Sequence, residues 1–195
     1  TLELEGLIGY PLFVKPARMG SSVGVSRAGN REDLVVALAT AARYDSKIIV
    51  EAAADGYREL ECAVLGNEHP VASVAGEIVT RDGFYDYAAK YGTHSSELVI
   101  PAHLSEACAT QLHDLSLAAF RAIGGSGLAR VDFFVSPDDE SIFINEINTM
   151  PGFTPVSMYP KLWSASGKPY ARLISELVDL ALQRHEDEQR NAVEQ

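Results

Sequence analysis

The chain has 195 residues, of which 27 are acidic and 16 basic, giving a formal net charge of −11 at pH 7. This length allows one large domain or two small ones, and a hydrophobic content of 47% argues against a disordered chain. The acidic balance argues against nucleic-acid or anionic-membrane partners, because both bind basic surfaces. No membrane-length apolar run is present, and two cysteines are too few for a disulfide framework, so we expect a cytoplasmic protein.

The first part of the chain predicts a small sheet with one helix. The expected strands cover residues 11–15, 23–26 and 47–51, the second being a hairpin partner of the first. A helix is expected over 30–44, with Asn30 as its N-cap. The small residues at 52–57 form a candidate linker, so we expect domains at 1–55 and 56–195.

The rest of the chain predicts a second sheet with helices. The expected strands are 59–66, 70–79, 128–135 and 141–148, and the expected helices are 105–125 and 169–183. A long polar loop rich in tyrosine covers 80–102, and we expect disorder within 80–97. A Pro/Gly loop covers 149–160, and the charged tail from residue 184 is expected to be solvated and frayed.

Residues 15–24, KPARMGSSVG, have the composition of an anion-binding loop. Glycines allow backbone N–H groups to turn toward an anion, and Ser21 and Ser22 add hydroxyl donors. Lys15 stands at the end of a predicted strand, within reach of a phosphate. The loop matches neither the Walker pattern nor the GxGxxG pattern, so an ordinary hairpin turn is an equally good interpretation.

The strands at 128–135 and 141–148 carry polar residues in alternation. Arg130 and Asp132 share one strand face, as do Glu146 and Asn148 on the next strand. A hairpin centred near Asp139 would place Asp132 opposite Glu146 and Arg130 opposite Asn148.

Two neighbouring carboxylates repel each other unless a cation lies between them. Carboxylate and amide oxygens are the ligands of a hard cation such as Mg²⁺, which takes its other ligands from water and phosphate. Arg130 would then stabilise negative charge that develops during a reaction. The alternative is a solvated sheet face on which acids pair with an arginine, but the apolar flanking residues favour a metal site.

Three further features fit a nucleotide site, although each has an ordinary structural interpretation. Glu51 ends a predicted strand and could accept a hydrogen bond from an adenine amino group, while Glu59 could accept from ribose. The tyrosine-rich loop contains Lys90 and Tyr91 and could close over a phosphorylated intermediate.

The stretches FVKPARMGSSVGVS, FYDYAAKY, LARVDFFV and INEINTMPGFTPVSMYP occur in this order. Together they resemble the D-alanine–D-alanine ligases of the ATP-grasp superfamily, over nearly the whole chain. The resemblance implies an α+β ATP-grasp fold with antiparallel sheets flanked by helices. It also implies an ATP- and Mg²⁺-dependent ligase that makes D-alanyl-D-alanine for peptidoglycan through an acylphosphate.

The resemblance assigns a role to each candidate residue. Contacts with ATP are implied for Lys15, Glu51, Ala52, Ala54, Glu59 and Lys90, and the loop composition adds Ser22. Two Mg²⁺ ions, which Mn²⁺ could replace, would be held by Asp132, Glu146 and Asn148. The implied catalytic residues are Arg130 and the Gly152 backbone at the tetrahedral intermediate, and Ser21 with Tyr91 near the substrate. Ser157 and Met158 would hold the carboxylate of the second D-alanine.

The family's N-terminal domain is not part of this sequence, so we expect a fragment that cannot complete the reaction alone. A homodimer is implied for the longer protein. Met19 stands where some members have Glu, and the hinge at 52–54 is smaller than in many relatives. Three alternatives stay open: another ATP-grasp carboxylate–amine ligase, a non-catalytic nucleotide-binding module, and a structural domain without a ligand.

Overall fold

The computed structural model describes residues 2–79 and 97–192. The described residues divide into two compact units, one ending at Gly56 and the other covering 57–79 and 97–192. Each unit contains an antiparallel sheet with helices beside it, which confirms the predicted α+β class.

The first unit has three strands in the order β2-β1-β3, all antiparallel. Its elements are α1 (Leu2–Ile8), β1 (Leu12–Pro16), β2 (Ser26–Ala28), α2 (Arg31–Ala41) and β3 (Ile48–Ala52). Alternate residues of β1 point into the core, where Leu12 and Val14 pack with Leu34 and Ala41 of α2. Asn30 caps α2 as predicted, its side chain accepting a hydrogen bond from the Asp33 N–H.

Helix α1 was not predicted. Its Glu5 accepts a hydrogen bond from Arg31 Nε at 2.7 Å, which joins α1 to the start of α2. The hydrogen bonds from Arg31, and then from Tyr10, lower the pKa of Glu5 to about 2. This partner lies 26 residues away in the sequence, so a local pattern did not reveal the helix.

The prediction of a strand at 23–26 was wrong in position. The hairpin partner of β1 exists, but it starts at Ser26, and residues 21–24 form turns. Ser21, Ser22 and Gly24 have positive φ angles of 54°, 58° and 75°. Left-handed backbone cannot continue a strand, which delays β2 until the turn is complete.

The second unit has five antiparallel strands in the order β6-β5-β4-β7-β8. Its strands are β4 (Arg58–Gly66), β5 (Val71–Val79), β6 (Glu97–Val99), β7 (Gly127–Val135) and β8 (Ile142–Asn148). Its helices are α3 (Glu106–Ala122), α4 (Met158–Ala165) and α5 (Tyr170–Ala192). One sheet face buries Leu60, Val131 and Phe133 with Leu112 and Phe120 of α3. The opposite face carries the candidate site.

Three predictions for the second unit need correction. Strand β6 lies inside the stretch interpreted as a loop, where it adds to the edge of β5. Helix α4 begins at Met158, within the predicted Pro/Gly loop. Helix α5 continues to Ala192 through the tail that was expected to fray, with an Arg184–Glu188 pair one helical turn apart.

Cys62 and Cys108 are free and buried, as expected for small core residues. Burial raises the pKa of the Cys62 thiol. Within 2–79 and 97–192, no helix is long and apolar enough to cross a membrane.

Candidate active site

The β7–β8 hairpin has the register that the sequence predicted. Asp132 lies opposite Glu146, and Arg130 lies opposite Asn148. Beyond Asp132 the pairing shifts by one residue at a bulge, where Asn145 is the extra residue. The hairpin therefore places two carboxylates, an amide and a guanidinium together on one face of the sheet.

Arg130 is held tightly within this group. Its Nε and Nη2 atoms each donate to an oxygen of Asp132 at 2.6 Å, a two-pronged arrangement that favours strong ion pairing. Burial lowers the pKa of Arg130, but the hydrogen bond to Asp132 and the charges of Asp132, Glu61 and Glu146 outweigh it and raise the pKa overall. The guanidinium is therefore a permanent positive charge at this face.

Glu61 belongs to the same group, and sequence reasoning missed it. Strand β4 lies beside β7 and places Glu61 opposite Asp132, so Glu61, Asp132 and Glu146 form a row across three strands. Glu61 Oε2 lies 3.0 Å from Arg130 Nε, and the residue is only 6% exposed. A signal was present: Glu59 and Glu61 alternate along a strand that is otherwise apolar.

The charges of this face fit a divalent cation. Glu61, Asp132 and Glu146 together supply three carboxylates, whereas Arg130 supplies one positive charge. Two negative charges are therefore left in excess when the three acids are ionised. Carboxylates directly across a strand pair destabilise each other unless a cation compensates them. Asn148 Oδ1 accepts a hydrogen bond from the Met150 N–H at 3.0 Å and retains a second lone pair.

Among the described residues, no group of three or more His, Cys, Asp or Glu side chains is arranged as a metal site. The arrangement agrees with this, because both oxygens of Asp132 point to Arg130. It is compatible with Mg²⁺, which takes only one or two protein carboxylates and completes its shell with water and phosphate.

The first unit brings together two residues that were predicted to contact ATP. Lys15 on β1 and Glu51 on β3 form an ion pair with Nζ and Oε2 2.7 Å apart. Glu51 lies opposite Phe13 and Lys15 opposite Ile49, so the two charged side chains share one face of the sheet. The pair is partly exposed, which leaves both groups accessible to a ligand.

The loop at 15–24 has a geometry that the composition did not reveal. Ser21 and Ser22 adopt the left-handed conformation that non-glycine residues rarely occupy. Such backbone is uncommon and concentrates at ligand-binding loops. Arg18 does not serve an anion here, because its guanidinium and backbone N–H both bond Asp45, at 2.7 and 2.9 Å.

The predicted hinge follows directly after β3. Ala52 is the last residue of that strand, and the Ala53 N–H donates to the Pro11 carbonyl at 3.0 Å. Ala54 follows and is partly buried. Glu59 belongs to the second unit, near the start of β4 and two residues before Glu61. Lys90 and Tyr91 lie outside the described residues, as does the predicted lid except for Glu97.

The loop between β8 and α4 brings Gly152 and Ser157 together. A Cβ atom added to Gly152 would lie 3.1 Å from Ser157 Oγ, which leaves little room for a side chain there. The Ser157 hydroxyl does not cap α4 but bonds Thr154, accepting from its N–H at 3.1 Å. Met158 is buried and 7% exposed, so a contact between Met158 and a substrate would come from its backbone N–H.

The same loop is fixed from behind by α5. The Tyr170 hydroxyl donates to the Phe153 carbonyl at 2.7 Å, and the two rings lie 5.6 Å apart. We expect Tyr170→Phe to lower the free energy of unfolding by about 1 kcal/mol, since it removes one hydrogen bond and leaves the rings packed. Urea unfolding followed by fluorescence measures this, because the single tryptophan, Trp163, lies in the same unit.

Tyr57→Phe is the control for this prediction. It also removes a hydroxyl from the second unit and keeps the ring contact with Phe143, so we expect a change below about 0.5 kcal/mol. Equal stability losses in the two variants would show that the Tyr170 hydrogen bond does not fix the loop.

Comparison with known proteins gives consistent matches. The family described as "D-ala D-ala ligase C-terminus" matches residues 1–179. The D-alanine–D-alanine ligase of Heliobacterium modesticaldum is 55% identical over 192 residues, covering 98% of this chain and 52% of that protein. The enzyme of the same name from Geobacillus thermodenitrificans is 53% identical over 187 residues, covering 96% of this chain and 51% of that protein.

Two solved structures match as well. The D-alanine–D-alanine ligase from Coxiella burnetii gives a TM-score of 0.81 at 40% identity and covers 93% of this chain and 47% of its own. VanG D-Ala:D-Ser ligase from Enterococcus faecalis gives 0.82 at 35% identity and covers 92% of this chain and 52% of its own. The chain spans about half the length of the curated relatives it matches. From these matches and the shared ATP-grasp architecture, the chain belongs to the D-alanine–D-alanine ligase family, in the part described as its C-terminus.

Proposed function

We propose that the protein containing this chain joins two D-alanine molecules, with hydrolysis of ATP, to form D-alanyl-D-alanine for peptidoglycan. The observation that carries this proposal is the β7–β8 face, where Arg130, Asp132, Glu146 and Asn148 meet in register. We also propose that residues 1–55 belong to the central domain of the ATP-grasp fold and 56–195 to its C-terminal domain.

The residues of the second unit fit distinct tasks in this reaction. Asp132, Glu146 and Asn148 would hold Mg²⁺ or Mn²⁺, which neutralises phosphate charge when bound. Arg130 supplies a fixed positive charge where an oxyanion develops during attack on a carboxyl carbon. The Gly152 backbone lies on the adjoining loop, and its lack of a side chain keeps that approach open. Ser157 and the start of α4 present a hydroxyl and helix N-terminal N–H groups, which favour a carboxylate.

The residues of the first unit fit the nucleotide. Lys15 provides a positive charge for phosphate, and Glu51 an acceptor for an amino group. Ser21 and Ser22 lie in the left-handed turn of the loop. The hinge residues Ala52 and Ala54 would contact adenine. Glu59 is proposed to accept hydrogen bonds from ribose. Lys90 and Tyr91 are proposed to act at the transferred phosphate and near the substrate.

A second candidate function differs in the second substrate. The D-Ala:D-Ser ligase matches this chain with a TM-score as high as that of the D-alanine–D-alanine ligase, 0.82 against 0.81. The fold therefore fits either acceptor, and the test includes D-serine and D-lactate beside D-alanine.

The test uses the natural protein that contains this chain, incubated with ATP, Mg²⁺ and each candidate acid and amine. We expect D-alanyl-D-alanine by mass spectrometry with one phosphate released per dipeptide. Glu146→Gln is expected to weaken Mn²⁺ binding and lower dipeptide formation by at least about tenfold, because it removes one charged ligand. Electron paramagnetic resonance of free Mn²⁺ in the presence of ATP measures the binding independently of turnover.

Glu68→Gln is the matched control, since Glu68 is an exposed residue in the turn between β4 and β5. It should leave both Mn²⁺ binding and dipeptide formation unchanged.

Phosphate release with another acid and amine, but none with D-alanine, would contradict the assignment of D-alanine as substrate. It would still support an ATP-dependent ligase. A homodimer and a cytoplasmic location stay predictions, and the molar mass in solution tests the first.

A further inference from the structure

The roles implied by the family do not include Glu61, although this charged residue belongs to the candidate site. Glu61 lies in the row with Asp132 and Glu146 but belongs to β4, on the opposite side of β7 from β8. We propose that Glu61 is a positioning residue that holds the Arg130 guanidinium in place while the Asp132 carboxylate binds a divalent cation. This proposal rests on the proposed function for its metal, but its central contact can be tested without one.

The contact between Glu61 and Arg130 is already formed. The Arg130 Nε–H donates to Asp132 Oδ1 at 2.6 Å, and Glu61 Oε2 forms an ion pair with the same nitrogen at 3.0 Å. Arg130 Nη2 bonds only the Asp132 side of this arrangement in the described contacts, at 2.6 Å to Oδ2. The guanidinium thus donates two hydrogen bonds to the Asp132 carboxylate and also forms an ion pair with Glu61.

Asp132 is poorly suited to be the permanent partner of Arg130. Both its oxygens accept from the guanidinium, and a cation bound to Asp132 compensates the same negative charge that attracts Arg130. The cation and Arg130 also repel each other as like charges. Without another anchor, Arg130 would leave its position when the metal arrives.

Glu61 has the properties of such an anchor. It is 6% exposed, and its strand is paired on both sides, with β5 and with β7. A buried carboxylate is costly unless it is paired with an opposite charge, so the contact to Arg130 is favoured to persist. Glu61 also lies on the side of Asp132 away from Glu146, so it draws Arg130 away from the metal ligands.

The first experiment removes the hydrogen bonds between Asp132 and Arg130 by mutation, so that no metal is needed. Nitrogen-15 NMR of this chain follows hydrogen exchange at the Arg130 Nε–H, assigned by its loss in Arg130→Lys. In Asp132→Ala we expect the Nε–H to stay protected, because it can then donate to Glu61 Oε2, which already lies 3.0 Å from Nε. In Glu61→Leu/Asp132→Ala we expect about 10–100-fold faster exchange, the change that corresponds to one charge-assisted hydrogen bond.

The second experiment adds Mg²⁺ and ATP. In the wild-type chain the Arg130 Nε–H should shift but remain protected, whereas in Glu61→Gln it should lose protection only when the metal is present. Mn²⁺ affinity in Glu61→Gln should stay within about threefold of wild type, since removal of a neighbouring charge that is not a ligand has a small effect. A merely structural role would not produce this dependence on metal.

The outcomes separate the two proposals. Protection that survives in Glu61→Leu/Asp132→Ala overturns the role of Glu61 whatever the metal does, and so does protection that survives in Glu61→Gln with the metal bound. A loss of Mn²⁺ affinity beyond tenfold in Glu61→Gln also overturns it, because Glu61 would then be a ligand. If the natural protein that contains this chain binds neither Mn²⁺ nor ATP, the proposed function fails and the metal-dependent part of this role fails with it, whereas the first experiment still decides the contact between Glu61 and Arg130. Glu68→Gln is the control in every measurement, and core amide signals of Val131 and Phe133 report that each variant is folded.

Discussion

Replacing Arg130 with alanine is expected to lower the free energy of unfolding of the second unit by about 3–5 kcal/mol. The side chain of Arg130 is 16% exposed and lies within 3.0 Å of both Glu61 and Asp132. Its removal leaves two buried carboxylates without their common counter-charge, next to a third on β8. Urea unfolding followed by Trp163 fluorescence measures the loss.

Under the proposed function, the same substitution in the natural protein that contains this chain should lower dipeptide formation about 10²–10³-fold, the usual effect of removing one group that stabilises a developing oxyanion. Arg130→Lys separates the two effects, because it keeps the charge and loses the two-pronged bond to Asp132. We expect it to recover part of the stability and little of the activity.

Arg121→Ala is the control for Arg130→Ala, since Arg121 is exposed near the end of α3. It should change the free energy of unfolding by less than about 0.5 kcal/mol. If Arg130→Ala were as stable as Arg121→Ala, the ion pairs with Glu61 and Asp132 would not hold in solution.

Phe133→Ala is expected to destabilise the second unit by about 3–5 kcal/mol without touching the candidate site. Phe133 is 1% exposed and points from β7 into the core beneath α3, while Asp132 points to the other face. Removing the ring loses apolar burial and leaves a cavity that a sheet paired on both sides cannot close.

Phe143→Ala provides the comparison for the core variant. Phe143 is 54% exposed on the edge strand β8, where its ring meets Tyr57 edge-on. We expect a loss below about 1 kcal/mol, measured by the same Trp163 fluorescence. Similar losses in the two variants would contradict the assignment of Phe133 to the core.

The site could be predicted from sequence where a short hairpin defines it. The spacing of Arg130, Asp132, Glu146 and Asn148 fixes their pairing once the turn near Asp139 is accepted, because strand side chains alternate with period two. The bulge at Asn145 was unforeseen. It lies between the turn and the four residues, and without it the register of Phe133 with Ile144 would continue and place Asp132 opposite Asn145.

Contacts between distant segments were beyond the reach of local patterns. Glu61 forms an ion pair with Arg130, 69 positions later in the chain, because β4 pairs with β7. The sequence of residues 59–66 does not indicate which strand β4 pairs with. Tyr170 reaches the Phe153 carbonyl for a similar reason, since α5 packs behind the loop.

The sequence by itself determined the α+β class, most of the strands, the main helices and the family, because these depend on local alternation, caps and motifs. The tertiary structure alone decided which carboxylates share Arg130, how Ser21 and Ser22 turn, and that Met158 is buried beneath β5. These follow from strand order and packing, in which the free energy depends on partners far apart in the chain. The residue types therefore predict the chemistry of the site, whereas the fold decides which charges meet there.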